Sequence, residues 1–122
     1  MTWKYDQSSG DIEHNGKFAG TGYSGAGRLL HEGRNNPAME KLKQKGPIPA
    51  GKWSIGKART SPQTGPIVMD LTPVGHDAHG RSAFQIHGDN TAGNASEGCI
   101  ILARGIRKDI DASGDRDLEV VP

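Results

Sequence analysis

Cys99 is the single cysteine of a 122-residue chain, and eleven residues separate it from His87 upstream. A free thiol with a pKa of about 8.5 is mostly protonated at neutral pH. An adjacent imidazole can take that proton, or as imidazolium can lower the thiol pKa. The thiolate then attacks a carbonyl carbon and forms a thioester. The backbone N–H of Cys99, with that of Gly98, could hold the developing oxyanion. The carbonyl of Gly88 is placed to orient the far ring nitrogen of His87, the role a carboxylate plays in other triads. Asp89 is a rival for that role, although adjacent side chains in a strand point away from each other. A second reading stays open on composition alone, because a lone thiol is also a small apolar filler of cores.

Ala83–His87 is a strand candidate that puts Phe84 and Ile86 on one face and Gln85 and His87 on the other. Asp89 to Gly98 is small and polar and reads as a loop that can fold back and bring imidazole and thiol together. Gly98 lets the backbone turn sharply and leaves the sulfur accessible. Ser96 could donate to a reaction intermediate or cap the turn before Cys99. Asp89, Asn90 and Asn94 are candidates for polar contacts to a substrate or for plain loop solvation.

The rest of the chain must supply a scaffold for this segment. Eighteen glycines and seven prolines in a chain that is only 33% hydrophobic favour short strands joined by turns. Strands are expected at Thr2–Gln7, Asp11–His14 and Lys17–Thr21, the last two joined through the Asn15-Gly16 hairpin signal. Gly20 to Gly33 reads as loop. Asn36-Pro37 reads as a helix start, with Asn36 as cap, and Ala38–Lys45 as two helical turns stopped by Gly46. Further strands are expected at Lys52–Ala58, Ile67–Thr72 and Leu118–Val121. Leu102, Ile106 and Ile110 recur every four residues, which predicts an amphipathic helix from about Leu102 to Ala112, ended by Ser113-Gly114. The sum is one mainly β (α+β) domain over residues 1–122 with two short helices.

A formal net charge of +1, with Lys and Arg scattered and not interleaved with aromatics, gives no basis for nucleic acid as a partner. One cysteine excludes an internal disulfide and a four-cysteine zinc site. His76, Asp77 and His79 lie on a short loop and read as exposed polar residues more readily than as metal ligands. No metal or other cofactor is expected. His14 and His31 show no partner in the sequence, and Trp3 and Trp53 read as core or half-buried strand residues. The polar start, Met1-Thr2-Trp3-Lys4-Tyr5-Asp6, has no apolar run suited to a signal peptide or membrane span. The expectation is therefore synthesis in the cytoplasm, with no membrane insertion.

His87-Gly88 followed by Ser96-Glu97-Gly98-Cys99-Ile100 resembles the motif of L,D-transpeptidases of the YkuD type. The order of histidine before cysteine is opposite to that of papain-like and NlpC/P60-like peptidases. Thr2 through Gly25, Asn35-Asn36-Pro37 and Gly46-Pro47-Ile48-Pro49-Ala50-Gly51-Lys52-Trp53-Ser54-Ile55-Gly56 are similar to the DUF2778 group. That group includes the type VI secretion effectors called Tlde1. The loop between His87 and Cys99 is shorter than in YkuD enzymes. Glu97 and Ile101 stand where those enzymes usually carry His and Arg.

The resemblance implies a YkuD-like mixed β-sandwich with short helices. It implies a cysteine enzyme acting on peptidoglycan stem peptides, as an L,D-carboxypeptidase on tetrapeptide stems or by exchange of the terminal D-alanine for another D-amino acid. In that reading Cys99 is the nucleophile, His87 the base and Gly88 its orienting carbonyl. Gly98, Ser96, Asp89, Asn90, Tyr23 and Ser24 belong to the oxyanion or substrate-binding set, with Tyr23 and Ser24 lining the cleft. An effector of this kind is exported without a classical signal and acts in the periplasm of target bacteria. It has a cognate immunity protein and a secretion-apparatus carrier as partners. The alternatives are a phage or housekeeping wall hydrolase of the same fold, or a non-catalytic wall-binding module in which Cys99 is filler.

Overall fold

A computed structural model describes residues 2–27, 33–90 and 95–122. Ten strands and one α-helix are formed in the order β1 (Trp3–Asp6), β2 (Asp11–His14), β3 (Lys17–Thr21), β4 (Tyr23–Ser24), β5 (Gly51–Ile55), β6 (Arg59–Ser61), β7 (Gly65–Val74), β8 (Gln85–His87), β9 (Ile100–Ile101), α1 (Arg104–Ser113) and β10 (Asp117–Val121). The sheet is mixed: β1 pairs parallel with β10 and β8 parallel with β9, and the other pairings are antiparallel. The domain is thus mainly β, as the sequence implies.

The strands run β3-β2-β1-β10-β5-β7-β8-β9-β4, with β6 added to β7. The two ends of this path, β3 and β4, are consecutive in the chain and are joined by Gly22, so the sheet folds over on itself. Gly22 permits the closure because its N–H reaches the Gly10 carbonyl at 2.8 Å, and a Cβ there would lie 1.8 Å from the Ile101 carbonyl oxygen. β7 is the hinge of the fold. Leu71–Val74 pairs with β5, while Met69 and Asp70 pair with β8 and Val68 with Arg59 of β6.

Alternation along the strands builds the core. Trp3 and Tyr5 of β1, Trp53 and Ile55 of β5, Leu118 and Val120 of β10, and Ile86 and Ile100 of β8 and β9 are all buried. Phe84 packs edge-on to Trp53 at 5.1 Å between ring centroids. α1 buries Ile110 and packs Ile106 against the same core. It ends as expected at Gly114, whose φ of 68° is the left-handed conformation a glycine C-cap supplies. Trp3 closes this end through a bond from its indole N–H to Ser113 Oγ, 3.2 Å.

Several expectations change. The hairpin at Asn15-Gly16 forms with both residues at positive φ, 52° and 81°. The helix expected over Ala38–Lys45 does not form. Asn36 caps Ala38 N–H as anticipated, but the helix is a single 3₁₀ turn, Pro37–Met39, followed by turns to Gly46. The carbonyls of Asn36, Pro37 and Met39 instead accept from the N–H three residues on, those of Met39, Glu40 and Leu42. One α-helix is therefore present among the described residues, together with two 3₁₀ turns. Short strands at Tyr23–Ser24, Arg59–Ser61 and Ile100–Ile101 were not anticipated, since two or three residues carry no readable period. His14, expected to lack a partner, bonds Asp115 Oδ2 at 2.9 Å and stacks on Trp3 at 4.1 Å. His31 and Asn94 lie outside the described residues.

Candidate active site

The parallel pairing of β8 with β9 sets Ile86 opposite Ile100 and His87 opposite Ile101. Residues in register on adjacent strands share a face. Ile86 and Ile100 therefore face the core, while Gln85, His87 and Cys99 face the other way. Continuing the register by one residue puts Cys99 beside Gln85, on the same face as His87 and diagonal to it. Both side chains line a cleft of about 870 Å³, walled by Lys43, Gln44, Ser61, Gln63, Thr64 and Arg81 among others.

His87 is buried and held by one bond, Nδ1 to the Gly88 carbonyl oxygen at 2.8 Å. A carbonyl only accepts, so Nδ1 carries the proton, and in the neutral ring Nε2 is the basic nitrogen. Burial pushes the imidazole pKa down; the Gly88 bond and Asp89 oppose this, and the Arg107 guanidinium adds to it. Arg107 is itself fixed behind Gly88, bonding the carbonyls of Leu102, Pro66 and Ile67.

Cys99 Sγ lies 3.7 Å from the Ala83 carbonyl oxygen. Burial pushes the thiol pKa up. The Gln85 N–H and Arg81 favour the thiolate, while Glu97 and Asp70 oppose it. With the thiol pKa raised and the imidazole pKa lowered, the resting pair is neutral. An imidazole in such a neutral pair can act as a base toward the thiol and does not stand as its counter-ion.

The turn before Cys99 is locked from within. Ser96 Oγ donates to the Cys99 carbonyl at 2.6 Å and accepts from Gly98 N–H at 3.1 Å and Gly25 N–H at 2.9 Å. Ser96 is buried and its hydroxyl is spent on the turn, so it does not donate into the cleft. The Gly98 N–H, considered for the oxyanion, is likewise committed to Ser96. Gly98 adopts a φ of 138°, and a Cβ there would lie 2.6 Å from Arg81 Nη2 and 2.8 Å from the Phe84 ring. The expected sharp turn is present and admits only glycine.

Tyr23 and Ser24 do not line the cleft; they brace it from behind. Ser24 is wholly buried, donating to the Gly98 carbonyl and accepting from Ile48 N–H, both at 2.8 Å. The Tyr23 hydroxyl donates to Asp89 Oδ1 at 2.6 Å and accepts from Ala95 N–H at 3.0 Å. Burial, together with the Asp89 bond, pushes its pKa up to about 12. Asp89 is thereby turned toward Tyr23 and Asn90 N–H, and the His87 Nδ1 bond goes to Gly88. Asn90 is on the cleft wall. Ile101, at the position where YkuD enzymes carry Arg, is buried.

Arg81 had no signal in the sequence, where it is one more cation in a loop. Its guanidinium is buried and bonds four main-chain carbonyls: Glu40 at 2.6 Å, Pro47 at 2.7 Å, Gly46 at 3.0 Å and Glu97 at 3.2 Å. It ties the 40–47 turns to the loop that carries the nucleophile candidate. The partners are up to 41 residues away in sequence, so no local pattern could reveal them. His76, Asp77 and His79 are each used locally. His76 bonds the Lys52 carbonyl and Ala78 N–H, Asp77 caps His79 N–H, and His79 meets Glu40 Oε2 at 2.9 Å. No cluster suited to a metal ion occurs among the described residues, and none of their helices is long and apolar enough to cross a membrane.

Fold and site together define a mainly β domain in which the end of one strand and the turn leading into its parallel neighbour present an imidazole and a thiol to one cleft. The chain belongs to the Tlde1 domain family, which it matches over residues 19–117. Its fold is similar to that of the helical cell shape determining protein Pgp2 from Campylobacter jejuni, with a TM-score of 0.59 at 12% identity. That likeness covers 98% of this chain and 46% of the other, so the chain spans less than half of its structural neighbour. A comparison with curated proteins gives no match.

Proposed function

We propose that the domain is a cysteine acyl-transfer enzyme that trims or exchanges the ends of peptidoglycan stem peptides. The observation that carries this reading is the shared face of His87 and Cys99 in one cleft, with His87 Nδ1 tied to the Gly88 carbonyl. Membership of the Tlde1 family and the fold shared with a cell-shape protein point the same way.

In the first step His87 Nε2 takes the thiol proton as Cys99 Sγ attacks the carbonyl of the third stem residue. Coupling the two events suits a pair that rests neutral. The Cys99 N–H is the donor we assign to the oxyanion, since the Gly98 N–H is engaged. The intermediate collapses, the amine of the terminal D-alanine leaves with the proton from His87, and a thioester remains. Water then releases the shortened stem, or an amine takes the acyl group. Export to the periplasm of other bacteria, a carrier in the secretion apparatus and a protecting immunity protein complete the proposal.

The test is incubation of purified protein with tetrapeptide muropeptides, followed by mass spectrometry. A tripeptide, or a tetrapeptide with a new terminal residue, is expected from the native chain and not from Cys99→Ala. Product from the Cys99→Ala protein would sink the mechanism.

A further inference from the structure

The cleft holds two charges that are uncommitted among the described residues. Lys43 and Glu97 are exposed on its wall, and neither side chain has a bond or ion pair among the described residues. The other lining cation, Arg81, is spent on four carbonyls. The backbones that carry Lys43 and Glu97 are tied together through Arg81. Lys43 rides on the tight turn closed by Gly46 N–H to the Leu42 carbonyl at 3.0 Å, in which Gln44 is held at a φ of 64°. One nitrogen of Arg81 bonds the Gly46 carbonyl at the foot of that turn and the carbonyl of Glu97 itself.

Opposite charges on tied backbone segments, on the wall of a cleft that also holds the thiol, suit a small ligand carrying both charges. We infer that Lys43 and Glu97 are the two poles of a subsite for a free α-amino acid. Lys43 takes its carboxylate and Glu97 holds its ammonium near Cys99. The inference rests on the acyl-transfer reading above, and names what decides between water and an amine as acceptor. The Lys43 pole also fits the terminal residue of the stem before it leaves, through that residue's free carboxylate.

Glu97 has a second consequence. It lies two residues from Cys99, and its negative charge opposes the thiolate. An ammonium paired with Glu97 cancels that opposition while the acceptor is in place. In the exchange step the bound ammonium gives one proton to solvent, and the freed amine attacks the thioester carbonyl. The C–N bond forms, the C–S bond breaks, and a second proton passes through His87 to the leaving sulfur, which leaves one hydrogen on the new amide nitrogen.

The experiment uses the whole chain, a tetrapeptide stem as donor, and equal concentrations of isotope-labelled D-alanine and D-alaninamide, read by mass spectrometry. The native protein is expected to incorporate D-alanine over the amide by about fivefold, the scale of one solvent-exposed ion pair. Lys43→Gln should bring that ratio near one, and Lys43→Arg should restore it. Glu97→Gln should lower incorporation of both acceptors relative to the tripeptide formed by hydrolysis. A native ratio near one, a ratio unmoved by Lys43→Gln, or an exchange-to-hydrolysis ratio unmoved by Glu97→Gln would each overturn the inference while leaving acyl transfer standing. Absence of any product from the native protein would overturn both.

Discussion

His87 and Cys99 stand two register positions apart on one face of the sheet, His87 ending β8 and Cys99 immediately preceding its parallel neighbour β9. His87 is held by its strand pairing, and Cys99 by the internally bonded turn that leads into β9. If they are the catalytic pair, Cys99→Ala abolishes stem trimming, and His87→Ala lowers kcat/KM by at least about 10²-fold, the usual scale for a lost general base. Chromatography of muropeptide products measures both. Full turnover by either variant would show that the chemistry lies elsewhere.

The neutral resting pair makes a pH prediction with a definite sign. Burial holds the His87 pKa below its ordinary value of about 6.5. The base therefore stays unprotonated further into acid, and the acid limb of kcat/KM falls below pH of about 6.5. Burial moves the thiol the other way. Alkylation of Cys99 by iodoacetamide should accordingly rise only above pH of about 8.5. A thiol that reacts fully at pH 6 would indicate a standing thiolate–imidazolium pair.

Gly98 is a steric prediction. Gly98→Ala places a Cβ 2.6 Å from Arg81 Nη2 at a φ of 138°. The strained backbone costs about 1–3 kcal/mol, and relief of the clash moves the residue before the thiol. Urea unfolding should show the loss of stability, and alkylation kinetics a changed Cys99 environment.

Arg81→Lys separates charge from shape. The ammonium keeps the positive charge but cannot span four carbonyls with a planar fork. Each buried carbonyl left unpaired costs about 1–3 kcal/mol. The variant should unfold at lower urea, with activity falling alongside. Native stability in Arg81→Lys would mean that the charge alone matters.

Glu40 ties Gln7, Ala50 and His79 together through its carboxylate. Burial would raise its pKa, but the bonds from Gln7, Ala50 and His79 outweigh that and hold it below the ordinary carboxylate value. A folded pKa below the unfolded one contributes stability that is complete above the ordinary carboxylate value of about 4.3 and is lost as pH falls through the lowered one. Glu40→Gln should flatten this acid limb in urea titrations between pH 6 and 3, and an unchanged slope would remove Glu40 as its source.

The sequence by itself determined the mainly β class, the Asn15-Gly16 hairpin and the glycine-ended helix bearing Ile106 and Ile110. It also marked the segment from His87 to Cys99 as the candidate place for chemistry. These are local matters: period, turn residues and caps act within a few positions and are legible in one dimension. The helix expected over Ala38–Lys45 failed because its carbonyls found nearer turn partners and Arg81 claimed the carbonyl of Glu40. Only the tertiary structure decided that Tyr23 and Ser24 brace the cleft instead of lining it, and that Ser96 consumes the Gly98 N–H. It alone revealed Arg81 as the tie between the 40–47 turns and the Cys99 loop. Each of these rests on a buried polar group satisfied by a carbonyl or amide distant in sequence. Such bonds are set by where the folded sheet closes, and residue type and spacing do not encode them.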